Sequence, residues 1–238
     1  MTPGEAGSPM PPARISTIEV TEQPDLVRKV KAALQAALAG RTSLDPEVLA
    51  LQGMSGRLYR MFIHTLIGSL APDARYLEVG VWRGSTLCAA IAGNRAFAIA
   101  IDNWSQFGGP RDECVATVRR FAGQSRVLII ESDFRKVNYP ELSKSNVFLF
   151  DGPHEEIDQF EGILVAQPAL DTRHVLIVDD WNLPQVRSGT MQAIERLALD
   201  LPLMVQIRTT LDDTHPDHHG AGSEWHNGYM IAVVRKRS

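Results

Sequence analysis

Five apolar runs, YLEV (76–79), AFAIAI (96–101), RVLII (126–130), NVFLF (146–150) and HVLIV (174–178), recur through the last two thirds of the chain. Each is followed by a polar loop and then a helical pattern. An unbroken apolar run has no face left for water, so each reads as a strand covered on both sides, and strands that alternate with helices build a parallel sheet. Two later runs, MVQIRTT (204–210) and YMIAVV (229–234), are joined by a long polar loop with no helical pattern. They read as an antiparallel pair that closes the sheet. The expectation is one α/β domain over residues 71–238, with a mostly parallel, doubly wound seven-stranded sheet whose last strand is antiparallel.

The first third of the chain has a different texture. Residues 1–14, MTPGEAGSPMPPAR, are rich in Pro and Gly and carry no apolar stretch, which reads as a disordered leader and not a signal peptide. Leu26, Val27, Val30, Leu34 and Leu38 then recur at helical spacing up to Gly40, Asp45 and Pro46 look like the cap and first turn of a short helix, and GRLYRMFIHTLIGSL is amphipathic. Residues 15–70 are therefore assigned to N-terminal helices packed on the sheet domain, through which copies of the chain are also able to associate. Arg57 and Arg60, one turn apart, suit either an anionic group or a solvated helix face.

Charge narrows the partners. A net charge of −4 and the lack of a dense Lys/Arg run speak against a nucleic acid or a membrane surface. No segment is long enough to span a bilayer. Cys88 and Cys114 stand in neither metal-like nor redox-like spacing, so they read as reduced, buried thiols of a cytoplasmic protein.

The first βα turn reads Glu78-x-Gly80-x-x-x-Gly84-Ser85. Glycine lets a backbone pass close to a ligand, and a helix capped by Ser85 points its first N–H groups into the turn. A dinucleotide turn has a third glycine, G-x-G-x-x-G, to admit a pyrophosphate. Its absence disfavours a nicotinamide-dependent oxidoreductase and suits a ligand with an amino acid end.

Ligands of open α/β sheets bind outside the carboxyl ends of the strands, and here every strand from the second to the fifth ends in an acid. Asp102 follows AFAIAI at the distance where an acid accepts ribose hydroxyls. Asp133 follows RVLII and is open to two readings, a helix cap or an acceptor for an adenine amino group. Asp151 follows NVFLF, and Asp179 and Asp180 follow HVLIV. If the last two strands are neighbours, these three carboxylates converge and repel unless a cation lies between them. Oxygen donors without Cys or His point to Mg²⁺, Mn²⁺ or Ca²⁺.

Taken together, the Glu78 to Gly84 turn, Asp102, Asp133, the DGPH of residues 151–154 and the VDDW of 178–181 are similar to the class I S-adenosylmethionine-dependent methyltransferases, which have a Rossmann-like fold. Within them the chain resembles the metal-dependent sugar O-methyltransferases of the macrocin and mycinamicin type, from about Tyr76 to the helix after Asp180. The resemblance implies that Glu78, Gly80 and Gly84, with Ser85 at the start of the helix, hold the methionine part of S-adenosyl-L-methionine, Asp102 its ribose and Asp133 its adenine end. It further implies a metal, Mg²⁺ or a similar ion, on Asp151, Asp179 and Asp180, with His154 as general base. Some relatives have an acidic base two residues after the first metal ligand; Pro153 stands there in this chain. The implied reaction is methyl transfer to a small hydroxylated acceptor, and the contrasting reading is a binding module that kept the cofactor turn without turnover.

Two further loops face the same end of the sheet. NWSQFGGPRDE (103–113) carries Trp104 and Phe107 beside two glycines, either over the adenine or packed on the domain. The loop of residues 211–227 holds His215, His218, His219 and His226 without recognisable ligand spacing, and is longer than a hairpin requires. It reads as a lid, with a histidine metal site as the alternative.

Overall fold

The computed structural model describes residues 13–19, 25–216 and 223–237. The chain opens with β1 (Arg14–Glu19) and three helices, α1 (Asp25–Leu38), α2 (Pro46–Leu49) and α3 (Arg57–Ser69). It then alternates through β2 (Ala74–Val79), α4 (Ser85–Ile91), β3 (Ala96–Asp102), α5 (Arg111–Phe121), β4 (Arg126–Glu131), β5 (Ser145–Phe150), α6 (Glu156–Ala166), β6 (Leu170–Asp179) and α7 (Pro184–Arg196). The strands β7 (Asp200–Arg208) and β8 (Tyr229–Arg235) end it.

One sheet runs in the order β1-β7-β8-β6-β5-β2-β3-β4. From β6 to β4 all neighbours are parallel. The strand β8 is antiparallel to both β6 and β7. The fold is therefore the α/β, Rossmann-like, mostly parallel sheet expected, with eight strands in place of seven.

The eighth is β1, inside the segment read as helical. It pairs antiparallel with β7 from Arg14↔Arg208 to Glu19↔Leu203. All six of its residues are exposed, so RISTIE has no burial period to betray it. Residues 1–12 of the expected leader lie outside the described residues, and Arg14 already belongs to β1.

Alternate residues of the strands feed two cores. Ala98, Ala100, Leu149 and Ile177 face the layer of α1, α3 and α4, whereas Ile99, Phe148, Phe150 and Val178 face α6 and α7. Burial on both faces is the reason the strand sequences are continuously apolar. The strand order reverses between β2 and β5, which opens a crevice at their carboxyl ends. Among the described residues no helix is long and apolar enough to cross a membrane.

The N-terminal helices follow their local signals. Asp45 accepts a hydrogen bond from the Glu47 N–H at 2.8 Å with Pro46 in the first turn of α2, and Gly40 takes a left-handed φ of 66° after α1. Arg60 fits neither of its two expected roles. It is fully buried, donates to the carbonyls of Leu49 (3.0 Å) and Leu51 (2.7 Å) and to Ser55 Oγ (2.9 Å), and burial pulls its pKa down to about 10. It fastens the 50–56 turn to α3, while Arg57 stays exposed.

Arg60→Ala is expected to orphan these acceptors at about 3 kcal/mol, which lowers the melting temperature by about 6–12 °C in a domain of this size. Arg57→Ala should stay within about 0.5 kcal/mol of wild type. Equal melting temperatures for the two variants would contradict the fastening role.

Candidate functional site

The β2–α4 turn is built around two glycines with left-handed backbone. Gly80 has φ 86°, and a Cβ there would stand 1.7 Å from the Asp151 carbonyl oxygen. The constraint on Gly80 is thus the end of β5 pressing on it, where the sequence suggested only room for a ligand. Gly84, φ 81°, precedes α4 without a side-chain cap, and Ser85 is the first helical residue and not the cap. Ser85 is buried under the 50–56 turn, with its Oγ 3.4 Å from Ser55 Oγ.

A cavity of about 410 Å³ opens at the carboxyl ends of the parallel strands, lined among others by Gly80, Asp102, Asp133, Asp151, His154, Asp179 and Asp180. Glu78, Gly84 and Ser85 lie behind its wall. The structure thus brings seven of the ten expected residues to one cavity.

At one end, Asp102 is held by backbone. Its Oδ2 accepts from the N–H groups of Val81 (2.7 Å) and Trp82 (2.8 Å), and its Oδ1 from that of Trp104 (2.6 Å). Oδ1 keeps one lone pair for a ligand. Asp133 accepts from the Arg135 N–H at 2.9 Å, so it caps a short turn and also faces the cavity. Trp104 is buried and donates from Nε1 to the Trp82 carbonyl (2.8 Å), and Trp82 donates from Nε1 to the Phe107 carbonyl (3.1 Å). Trp82, Trp104 and Phe107 all hold positive φ, 44°, 47° and 49°. Three bulky residues in that strained region are retained by the interlock around Asp102.

At the other end the acids gather. The register Phe150↔Val178 sets Asp151 beside Asp179. Asp151 keeps some surface open to the cavity but is enclosed by protein otherwise. That burial, and then the charges of Asp179, Asp180, Glu78 and Asp102, push its carboxyl well above the usual carboxylate range. Asp179, 5% exposed, is raised in the same way by burial and by Asp180, although it accepts the Asp180 N–H at 2.7 Å. Asp180 goes the other way: burial opposes its ionisation, but His154 Nε2 at 2.7 Å and Asn227 Nδ2 at 2.5 Å hold its carboxyl below the usual value. For His154 burial favours the neutral ring, and the Asp180 contact outweighs it, so its pKa is raised.

The atoms that converge differ from the expected triad. Ligating atoms of Asp151, His154 and Asp180 lie within 4.8 Å of one another, and so do those of Asp180, His215 and His226. Asp179 belongs to neither group. His215 and His226 line the same cavity, a placement that no spacing in the loop announces. His218 and His219 lie outside the described residues.

No known family model matches the sequence, and no curated protein matches it. Solved structures do match the fold. TrmN from Thermus thermophilus superposes with TM-score 0.53 at 13% identity over 80% of this chain, which spans only 52% of TrmN. The O-methyltransferase from Bacillus cereus in complex with SAH gives 0.51 at 13% identity, covering 91% of this chain and 94% of that one. The O-methyltransferase TomG from Streptomyces achromogenes, solved with SAM, gives 0.51 at 15% identity over 90% and 91%. At these identities the likeness is one of fold.

Glu78 permits a test of the site's electrostatics. It is 1% exposed, and burial, opposed by the Tyr76 hydroxyl and reinforced by the charge of Asp102, lifts its pKa to about 8 from an ordinary 4.5. An acid whose folded pKa is raised binds its proton more tightly when folded, so stability falls as pH rises from about 4.5 to about 8. The slope from this group is at most about 1.4 kcal/mol per pH unit. Glu78→Gln is expected to flatten the urea-unfolding profile between pH 5 and 8, measured at ~1 pH unit intervals. A variant as pH-dependent as wild type would show that Glu78 is ionised throughout.

Proposed function

We propose that the protein is an S-adenosylmethionine-dependent and divalent-metal-dependent O-methyltransferase acting on a small hydroxylated acceptor. The observation that carries this reading is a single cavity with a backbone-braced acid, Asp102, at one end and the Asp151, Asp179 and Asp180 carboxylates beside His154 at the other. Its fold is that of O-methyltransferases solved with SAH or SAM.

The residues fit both groups. Asp102, braced by backbone N–H groups with an acceptor lone pair to spare on Oδ1, would take a ribose hydroxyl, Asp133 the adenine end, and the Gly80 turn the methionine part. Asp151 and Asp180 supply hard oxygen donors, and the burial and mutual repulsion that raise the Asp151 and Asp179 carboxyls are what a divalent ion would relieve. A divalent ion held there would polarise an acceptor hydroxyl and fix its position.

The chain's own part is alignment and proton removal. Methyl transfer from a sulfonium is an in-line displacement that needs a positioned and deprotonated nucleophile. His154, at the cavity wall and one hydrogen bond from Asp180, is placed to take the acceptor's proton. It must be neutral to do so. Its pKa is raised by Asp180, so the rate should climb with pH through a value above the ordinary histidine range.

Transfer of a labelled methyl group to a panel of hydroxylated acceptors, with and without Mg²⁺, tests the reading. His154→Ala is expected to lower turnover about a hundred- to ten-thousand-fold while S-adenosylmethionine affinity holds. Asp180→Asn should abolish metal binding and activity together. Full turnover in excess chelator would eliminate the metal, and an unchanged rate in His154→Ala would eliminate the base.

A further inference from the structure

Asp180 takes part in a second group of side chains that methyl transfer does not use. Ligating atoms of Asp180, His215 and His226 come within 4.8 Å of one another at the cavity wall. Asp180 and His226 are both about 6% exposed, and both hold a left-handed backbone, φ 57° and 44°. Two non-glycine residues kept in that sparsely populated region, facing each other across the site, mark a place where the surrounding fold enforces side-chain position.

The supports are those of a ligand set. The Nδ1–H of His215 donates to the Pro216 carbonyl at 3.1 Å, the kind of backbone partner that orients a metal-ligating imidazole. The His215 and His226 rings stand edge to face with centroids 5.3 Å apart. Asn227 Nδ2 donates to Asp180 Oδ1 at 2.5 Å, and Asn182 Nδ2 donates in turn to Asn227 Oδ1 at 3.0 Å and to Thr209 Oγ1 at 2.7 Å. This chain of amides ties the turn after β6 to the end of β7 and the start of β8, the segments that carry Asp180 and flank the two histidines.

We propose that Asp180, His215 and His226 form a cation site selective for a borderline divalent transition ion such as Zn²⁺ or Co²⁺. Two imidazoles and one carboxylate suit such an ion and suit Mg²⁺ poorly, because Mg²⁺ favours oxygen donors and its own water. Three protein ligands leave a coordination position open to the cavity, as in metal sites that bind water or substrate. The site shares Asp180 with the Asp151 and His154 group and does not rest on the methyl-transfer reading.

The test is titration of the metal-free protein with CoCl₂, read by visible absorption and by paramagnetically shifted imidazole N–H signals. The expected result is one Co²⁺ with two histidine signals that excess Mg²⁺ does not displace. His215→Ala and His226→Ala should each remove one signal and weaken Co²⁺ binding by more than about tenfold, with Asp151→Asn retaining both signals. His215 is exposed, so its variant remains informative if the His226 variant fails to fold. Displacement of Co²⁺ by Mg²⁺, or wild-type Co²⁺ binding in His215→Ala, would overturn the proposal. Absent methyl transfer with intact cobalt signals would count against the methyltransferase reading alone.

Discussion

Carboxylates side by side in a poorly solvated space repel, and that repulsion is the constraint around which the carboxyl end of this sheet is arranged. Parallel strands lie about 5 Å apart, so in-register β5 and β6 deliver Asp151 and Asp179 to the same small volume. The chain answers with local donors. Asp180 turns into a left-handed conformation and meets His154 and Asn227, Asp179 receives the Asp180 N–H, and Asp102 is braced by three backbone N–H groups. Burial, and then the repulsion these donors leave uncompensated, holds Asp151 and Asp179 above the usual carboxylate range.

The same constraint explains the close fit behind the site. Gly80 lies under the Asp151 carbonyl because β2 and β5 are neighbours at the point where the strand order reverses. Any side chain there would push Asp151 away from Asp180. The glycine turn and the acid cluster, far apart in sequence, are thus one structural unit, and a cavity that spans both is able to hold a ligand with one end on each.

Much of this was legible in the sequence, for a physical reason. Strands buried on both faces must be apolar throughout, and the residue that follows each one is the first free to be polar, so Asp102, Asp133, Asp151, Asp179 and Asp180 announce the edge that lines the cavity. His154 was legible because its position is local, three residues from Asp151. The rest depends on contacts that leave no local mark. The strand β1 is held by backbone pairing with β7 and an exposed Lys31–Glu19 ion pair, Arg60 has the spacing of a surface residue yet is buried under a turn, and the donors to Asp102 are main-chain groups. His215 and His226 meet Asp180 because β8 lies between β6 and β7 and returns their loop over the strand end, a fact of topology and not of spacing.

The most direct measurement is the number of protons released when a divalent ion binds. Isothermal titration of the metal-free protein with Mn²⁺ near neutral pH, in buffers of different ionisation enthalpy, reads this number independently of turnover. Because burial and crowding raise the Asp151 and Asp179 carboxyls, binding of the ion should release protons, and Asp151→Asn should reduce that release. Binding without proton release, or release unchanged in Asp151→Asn, would contradict the account of the strand-end acids as a cation site.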